Sequence, residues 1–214
     1  MSQANSPKGR FIVLEGIDGS GTTTQCQRLA QWLRARGEKA HPTRQPSDGP
    51  IGTIIRQILS GRLQSRRIHG GVTPVDPATI ALLFAADRLD HLQNEIVPYT
   101  DAGYHVICDR YVLSSLAYQT VDVDIDFVQQ INALALIPDL TVLLEVSADV
   151  AMQRITDSRP GRDAFETLTF QRKVAEAYIQ AVESYDAGRV EVLDGQRTPD
   201  LVFEALCAHV EALL

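Results

Sequence analysis

The most constraining feature of the sequence is residues 11–25, FIVLEGIDGSGTTTQ, where an apolar run breaks into a glycine-rich turn and then into a helical pattern. The spacing of Gly16, Gly21 and Thr23 fits the phosphate-binding loop GxxxxGK followed by Ser or Thr, but Thr22 stands at the lysine position. Glycines in such a loop let backbone N–H groups approach phosphate oxygens without a Cβ in the way. The pattern therefore predicts a strand, an anion-binding loop and a helix whose N-terminus faces the anion.

Composition and charge exclude several classes of protein. The 214 residues fit a single domain, 1–214, with a flexible tail at 1–8. A formal charge of -7 argues against a nucleic-acid or membrane-surface protein, since both need a positive face. Three separated cysteines without CxxC spacing predict no disulfide framework or zinc site. We find no signal-peptide pattern and no apolar stretch of membrane-spanning length, so we expect a cytoplasmic protein.

Strand and helix patterns alternate along the chain. Strands are predicted at 10–15, 39–43, 105–108, 140–146 and 190–193, and helices at 23–36, 51–59, 77–97, 126–136, 149–157 and 199–214. Asp76 fits an N-cap, Pro98 is expected to end the helix before it, and Ile54 is expected to face inward. Residues 61–75, with Arg62, Arg66, Arg67 and His69, are predicted to be an exposed, solvated loop. Such alternation is typical of a parallel sheet covered on both faces.

Polar clusters follow three of the predicted strands. They are the loop at Gly16, the segment TRQP at 43–46, and the pair Asp109 and Arg110. Because parallel sheets bind ligands beyond the carboxyl ends of their strands, we expect these clusters to meet at one edge. Asp109 is a carboxylate for a hydrated Mg²⁺ and Arg110 is a fork for a phosphate. Asp18, a carboxylate inside the phosphate loop, indicates a sugar hydroxyl or a metal nearby.

Phe84 and Arg88 form a further pair, four residues apart on one face of the predicted helix. A phenyl ring beside a guanidinium can stack on a planar base and hydrogen-bond its edge. Alone, the same spacing also fits a core phenylalanine with a surface arginine.

The motifs EGIDGSG at 15–21, LLFAADR at 82–88 and CDRYVLSSLAYQ at 108–119 resemble the thymidylate kinase family, which phosphorylates dTMP with ATP. The resemblance covers nearly the whole chain. It implies an α/β, three-layer P-loop NTPase fold with a five-stranded parallel sheet, helices on both faces and a short mobile lid at about 154–166. It also implies Mg²⁺, the partners ATP and dTMP, and a homodimer.

Carried over by position, the resemblance implies a set of site residues. Phe84 would stack on thymine, Arg88, Ser115 and Gln119 would reach the base, and Tyr118 would lie near the deoxyribose. Arg110, helped by Arg56 and Arg44, would hold the dTMP phosphate, and Asp18 would meet the 3′ hydroxyl or nearby arginines. ATP phosphates would lie on Gly16, Ile17, Asp18, Gly19, Ser20, Gly21, Thr22, Thr23 and Thr24, with Mg²⁺ held by Thr23 and Asp109. The catalytic residues would be Asp18, Arg110 and the lid arginines Arg154, Arg159 and Arg162.

The sequence departs from the family at two places. Gln45 stands where the family's REPGG motif has a carboxylate, which leaves its role in doubt. Thr22 offers one neutral hydroxyl where a lysine would bridge the β- and γ-phosphates. We expect lid arginines to supply the missing cation, since Gly19 replaces a loop arginine found in other members. Two alternatives stay open: a nucleotide-binding protein without transferase activity, and a kinase for another pyrimidine nucleoside monophosphate.

Overall fold

A computed structural model describes residues 8–158, 168–186 and 188–214. The strands are β1 Phe11–Glu15, β2 Ala40–Arg44, β3 Ser65–Arg66, β4 Val72–Thr73, β5 His105–Asp109, β6 Leu140–Glu145 and β7 Val190–Asp194. The helices are α1 Thr22–Ala35, α2 Pro50–Leu59, α3 Pro77–His91, α4 Val97–Asp101, α5 Val112–Tyr118, α6 Ile125–Ile131, α7 Ala148–Ser158, α8 Leu168–Ser184 and α9 Pro199–Glu211. A π-helical turn, Leu92–Ile96, joins α3 to α4, and a 3₁₀ turn, Gln119–Val121, follows α5.

Five strands form one parallel sheet in the order β2-β5-β1-β6-β7. Parallel neighbours need crossover connections, which the helices supply. β1 lies at the centre, between β5 and β6, so the loop that follows it opens at the middle of the sheet edge. The predicted α/β fold with a five-stranded parallel sheet is confirmed.

The two faces of the sheet carry separate apolar cores. Along β1, Phe11 and Val13 point into one core while Ile12 and Leu14 point into the other, as the period of two in a strand requires. The first core includes Leu113, Leu116, Val174 and Tyr178 from α5 and α8. The second includes Leu29, Leu33, Leu206 and Val210 from α1 and α9. The helices therefore cover both faces of the sheet, which confirms the three-layer arrangement.

The prediction that Pro98 ends the long helix is wrong. The chain continues from α3 through the π turn into α4, with Pro98 in the first turn of α4. The π turn places the Val97 N–H on the Leu92 carbonyl, five residues back. A proline is tolerated there because its missing N–H and its ring disturb the first turn of a helix least. The N-cap prediction is confirmed, since Asp76 Oδ1 accepts from the Thr79 N–H at 3.0 Å.

Three further local predictions are wrong. Residues 61–75 are largely exposed, as predicted, but part of this segment is a hairpin of β3 and β4, whose turn uses Gly70 and Gly71 at φ 89° and 86°. Ile54 is 41% exposed rather than inward-facing. The helix predicted to reach residue 136 ends at Ile131, because the Asn132 side chain is drawn onto the Val128 carbonyl and the Arg88 guanidinium.

Two predicted segments fall largely outside the described residues. Of the tail at 1–8, only Lys8 is described, and its Nζ lies 2.7 Å from Asp101 Oδ1. Of the lid at about 154–166, residues 154–158 belong to α7 and 159–166 are not described. Along the described ranges, we find no helix with both the length and the apolar character needed to cross a bilayer.

Candidate active site

The loop between β1 and α1 forms one wall of a cavity of about 530 Å³ at the carboxyl edge of the sheet. Gly19 and Gly21 have φ angles of 84° and 98°, a region that L side chains rarely adopt. A Cβ on Gly19 would lie 2.5 Å from the Ala151 carbonyl oxygen of α7. Gly21 is the N-cap of α1, and no described side chain caps that helix. The first N–H groups of α1 are therefore free to bind an anion in this cavity.

All of the predicted phosphate-binding residues except Gly16 line this cavity: Ile17, Asp18, Gly19, Ser20, Gly21, Thr22, Thr23 and Thr24. Thr22, at the lysine position, is only 5% exposed, so a short neutral side chain lies where a long cation would extend. Among the described residues, three arginines line the same cavity, namely Arg110, Arg154 and Arg197.

Thr23 and Asp109, the two predicted metal residues, lie in direct contact. Thr23 Oγ1 donates a hydrogen bond to Asp109 Oδ2. The other carboxylate oxygen, Asp109 Oδ1, is buried and has no hydrogen-bond partner among the described residues. Hard divalent cations prefer carboxylate and hydroxyl oxygens. An unpartnered oxygen beside a threonine hydroxyl, at the start of a helix that faces a phosphate cavity, therefore fits a Mg²⁺ site.

Arg110 follows β5 and has a φ of 70°, in the left-handed region that non-glycine residues rarely occupy. Its backbone N–H donates to the Leu14 carbonyl at 2.8 Å. This conformation directs the guanidinium to Asp18, whose Oδ1 lies 2.6 Å from Nη2. The guanidinium carbon also lies 4.9 Å from the centre of the Tyr118 ring. The strain therefore aims a cation at the phosphate loop.

Asp18 joins the phosphate loop to three other elements. Its carboxylate accepts from Arg110 and, at 3.5 Å, from Gln171 Nε2 of α8. Its backbone N–H donates to the Tyr118 hydroxyl at 3.1 Å. Burial raises the pKa of Tyr118 to about 12, so this hydroxyl is neutral at physiological pH. Asp18 from the phosphate loop therefore lies together with Arg110 and Tyr118, which belong to the motif at 108–119.

Arg88 is 1% exposed and donates to groups on three sides. Its acceptors are Asn132 Oδ1, the Tyr111 carbonyl at 2.8 Å and Ser115 Oγ at 2.9 Å. Its Nε has no partner among the described residues. Burial lowers the pKa of this arginine from its ordinary value. Arg88 and Ser115, each predicted to reach the base, are therefore in contact with each other, and Arg88 is enclosed rather than exposed.

Two other predicted base-side residues lie on α3, which carries Arg88, and directly after α5, which carries Ser115. Phe84 is partly buried, one turn before Arg88 on α3. Gln119 begins the 3₁₀ turn after α5, and its buried Oε1 has no partner among the described residues.

The segment after β2 is held by α3 and by Arg56. Ser47 donates to the buried Asp87 through its N–H at 2.7 Å and its Oγ at 2.6 Å. Arg56 Nη1 donates to the Pro46 and Ser47 carbonyls at 3.0 and 2.5 Å. Arg44 Nη2 lies 2.8 Å from Asp48 Oδ1 and lowers the pKa of that carboxyl. Arg44 and Arg56 thus meet at Asp48.

Gln45 is buried and contacts a histidine rather than the cavity. Its Nε2 lies 3.3 Å from Nδ1 of His91, a residue of α3. The same ring, through Nε2, contacts Thr43 Oγ1 at 2.9 Å and Glu95 Oε2 at 3.4 Å. Hydrogen bonds from His91, Thr43 and His41 lower the pKa of Glu95 to about 2. Glu95 already supplies a carboxylate to this network. The neutral Gln45 amide therefore joins it without adding a second negative charge.

Arg154 is the one predicted lid arginine within the described residues. It lies on α7, and its Nη2 donates to the Gly195 carbonyl at 2.9 Å on the far wall of the cavity. Arg159 and Arg162 lie outside the described residues.

Several residues of the site were not predicted from the sequence: Glu15, Asp87, Gln171, Tyr178 and Arg197. Glu15 is a charged residue ending an otherwise apolar strand, and Asp87 is the neighbour of Arg88, so a local signal existed for both. Gln171, Tyr178 and Arg197 reach the site only through tertiary packing, which no local pattern reports.

Comparisons with known proteins identify sequences similar to this chain along most of its length. The family model described as thymidylate kinase matches residues 14–206. A probable thymidylate kinase of Pyrobaculum aerophilum is 42% identical over 195 residues, covering 90% of this chain and 91% of that protein. A thymidylate kinase of Nostoc sp. is 33% identical over 217 residues, covering 96% and 99%. A probable thymidylate kinase of Methanocaldococcus jannaschii is 42% identical over 177 residues, covering 82% and 83%. The chain belongs to the thymidylate kinase family.

Proposed function

We infer that this protein transfers the γ-phosphoryl group of ATP to dTMP, giving dTDP and ADP. The observation that carries this inference is the shared cavity, because one wall is the phosphate loop and another is Arg110. A donor phosphate on the loop and an acceptor phosphate on Arg110 would lie in the same space. Phosphoryl transfer depends mainly on such positioning and on charge stabilisation.

The residues around Arg110 support an acceptor site for dTMP. We propose that Arg110 binds the dTMP phosphate, and that Asp18 holds Arg110 in place and meets the sugar hydroxyl. Arg44 and Arg56, joined at Asp48, would support the same phosphate. Phe84, Arg88, Ser115, Tyr118 and Gln119 would surround the base and the deoxyribose.

The loop and its neighbours support a donor site for Mg²⁺-ATP. We propose that Gly16 to Thr24 bind the ATP phosphates through backbone N–H groups, and that Thr23 and Asp109 hold the metal. A bound Mg²⁺ would neutralise phosphate charge at the reacting end of ATP. Arg154, Arg159 and Arg162 would supply the positive charge that Thr22 lacks, and Arg154 already lies against the cavity.

Comparing dTMP with dCMP tests the substrate assignment. A guanidinium donor at the base edge suits the thymine O4 acceptor and faces a donor amine in cytosine. An unpaired buried donor costs about 1–3 kcal/mol, so we expect kcat/KM for dTMP to exceed that for dCMP by about 5- to 150-fold. The measurement is a coupled assay of ADP release with each nucleotide. Equal kcat/KM values would contradict the assignment.

Turnover should depend completely on a divalent metal ion. With one cation already missing from the loop, loss of the divalent ion leaves the phosphate charge largely uncompensated. We expect excess EDTA to abolish turnover and Asp109→Asn to lower kcat by about 10²-fold, with dTMP affinity retained. Asp101→Asn, which changes an exposed aspartate paired with Lys8, is the matched control. Activity persisting in EDTA would refute the metal site.

We also propose a homodimer in a reducing, cytoplasmic setting. Leu82 and Leu89, seven residues apart on α3, are 49% and 39% exposed, and Ile54 on the neighbouring α2 is 41% exposed. A second copy of the chain could bury this apolar face. Sedimentation velocity distinguishes monomer from dimer. The proposal of a reducing compartment is supported by three buried, separated thiols, Cys26, Cys108 and Cys207.

A further inference from the structure

Glu15, the last residue of β1, has a fully buried carboxyl group behind Arg110. Its Oε1 accepts from the Tyr111 N–H at 2.8 Å. Its Oε2 lies 2.6 Å from Ser114 Oγ and 3.1 Å from the Tyr178 hydroxyl. The carboxyl group thus connects β1 with the segment after β5 and with α8.

The two hydroxyls also contact each other and Arg110. Ser114 Oγ lies 2.7 Å from the Tyr178 hydroxyl. Arg110 Nη1 lies 3.5 Å from Ser114 Oγ and 3.4 Å from the Tyr178 oxygen, so the guanidinium donates to both. Glu15 Oε2, Ser114 Oγ and the Tyr178 oxygen therefore form a triangle of three oxygen pairs, each at hydrogen-bond distance.

The number of protons available to this triangle favours a neutral Glu15. Ser114 and Tyr178 contribute one hydroxyl proton each. Arg110 donates hydrogen bonds to these two hydroxyl oxygens, but its protons do not lie between any two of the three oxygens. Two protons satisfy two of the three oxygen pairs. An ionised carboxylate leaves the third pair as a contact between lone pairs, which is unfavourable in a buried site. A protonated carboxyl supplies the missing hydrogen bond.

The charged and titratable surroundings agree with this count. Burial raises the pKa of Glu15 above 4.5, against the lowering effects of the Ser114 hydrogen bond and of Arg110. Among the described residues, other groups that interact electrostatically with Glu15 include Cys26 of α1, Arg88 of α3, Cys108 of β5, and Tyr178 and Tyr185 around α8. Burial raises the pKa of each of these thiols and phenols, so they remain neutral near pH 7.

We propose that Glu15 is a neutral carboxylic acid in the working enzyme and positions Arg110 without cancelling its charge. This proposal rests on the assignment of Arg110 to the dTMP phosphate. Ionised Glu15 would compete with the phosphate for Arg110 through Ser114 and Tyr178. Neutral Glu15 keeps the hydrogen-bond frame and leaves the full charge of Arg110 to the substrate. Glu15 is therefore a positioning residue that makes phosphate binding depend on one buried proton.

Infrared spectroscopy of the intact protein tests the protonation state directly. Near neutral pH, the wild type should show a carboxylic-acid carbonyl band that shifts when glutamate is labelled with ¹³C and that is missing from Glu15→Gln. The wild-type measurement does not depend on how the variant folds. It also does not depend on activity, so a protein inactive towards dTMP would overturn the proposed function and leave this result standing. Absence of the band from the wild type would overturn the proposal.

The pH dependence of KM for dTMP supplies the functional readout. The dTMP phosphate has a second pKa of about 6, so its own charge no longer changes above neutral pH. We expect KM to rise up to about tenfold per pH unit once Glu15 ionises. Glu15→Gln keeps a neutral donor and acceptor, so its KM should stay flat. Glu145→Gln, which removes an exposed carboxylate at the end of β6, should follow the wild type. A rise of KM in Glu15→Gln equal to that of the wild type would refute the proposal.

The proton on Glu15 also affects the free energy of unfolding. Because folding raises the pKa of Glu15, its contribution to the free energy of unfolding is fully present below pH 4.5, the unfolded value. That contribution is lost as the pH rises through the folded pKa. Thermal unfolding should therefore show a smaller drop in Tm with rising pH for Glu15→Gln than for the wild type. An identical drop in both proteins would contradict the proposal.

Discussion

Arg110→Ala is expected to lower kcat/KM for dTMP by about 10²- to 10³-fold while the protein remains folded. A charge-assisted hydrogen bond contributes about 1.5–3 kcal/mol, and a guanidinium can make two to one phosphate. The variant also leaves Asp18 without its closest cation, at 2.6 Å in the wild type. Repulsion between Asp18 and the dTMP phosphate adds to the loss. Both KM and kcat should suffer, because Arg110 holds the acceptor in line with the donor.

The matched control for this prediction is Arg189→Ala. Arg189 is an exposed arginine that pairs with Glu191 at 2.9 Å, away from the phosphate cavity. Its kcat/KM should equal that of the wild type. Thermal unfolding of both variants separates loss of function from loss of fold. Arg110→Ala with kcat/KM within about threefold of the wild type would remove Arg110 from the acceptor site.

A second large effect is expected from the lid arginines. A cation that reaches the phosphates during transfer is worth about 10³ to 10⁵ in kcat, as for an arginine finger. Because Thr22 supplies no charge, we expect at least one of Arg154→Ala, Arg159→Ala and Arg162→Ala to abolish turnover. Affinity for dTMP should be retained, since the acceptor site does not use these residues. Single-turnover kinetics measures phosphoryl transfer in each variant, and equilibrium binding measures its affinity for dTMP.

Arg172→Ala is the control for the lid variants. Arg172 lies on α8 and pairs with Asp149 at 3.0 Å on the surface. This variant should keep full kcat. If all three lid variants keep kcat near the wild-type value, another cation must replace the lysine, and Arg197, which lines the same cavity, is the next candidate.

The sequence predicted the parts of the site that depend on local pattern. The glycine spacing predicted the phosphate loop. The strand pattern predicted β5 and, at its end, the positions of Asp109 and Arg110. Because parallel strands share one carboxyl edge, the meeting of the phosphate loop with Asp109 and Arg110 followed from topology, whereas Tyr118 was predicted only through the resemblance to the family. The Asp76 N-cap followed from its position before Pro77.

The sequence could not predict features that tertiary contacts impose. The positive φ of Arg110 is a strained state that the surrounding contacts stabilise, and no residue pattern encodes it. The enclosure of Arg88 depends on Asn132, 44 residues later, whose recruitment also ends α6 early. The helix continues past Pro98 through a π turn, and the spacing of apolar residues in the sequence does not reveal such a turn. The protonation of Glu15 depends on Tyr178, 163 residues away.

Whether arginines compensate for Thr22 is tested by kcat of the purified wild type with ATP, Mg²⁺ and dTMP, measured beside Thr22→Lys. Thr22 is 5% exposed at the loop position where the family has a cation. If arginines compensate for it, the wild type turns over dTMP at a rate typical of kinases, about 1–100 s⁻¹, and Thr22→Lys is tolerated without being required. An inert wild type that binds dTMP, with turnover appearing only in Thr22→Lys, would contradict compensation by the arginines and identify the protein as a nucleotide-binding homologue.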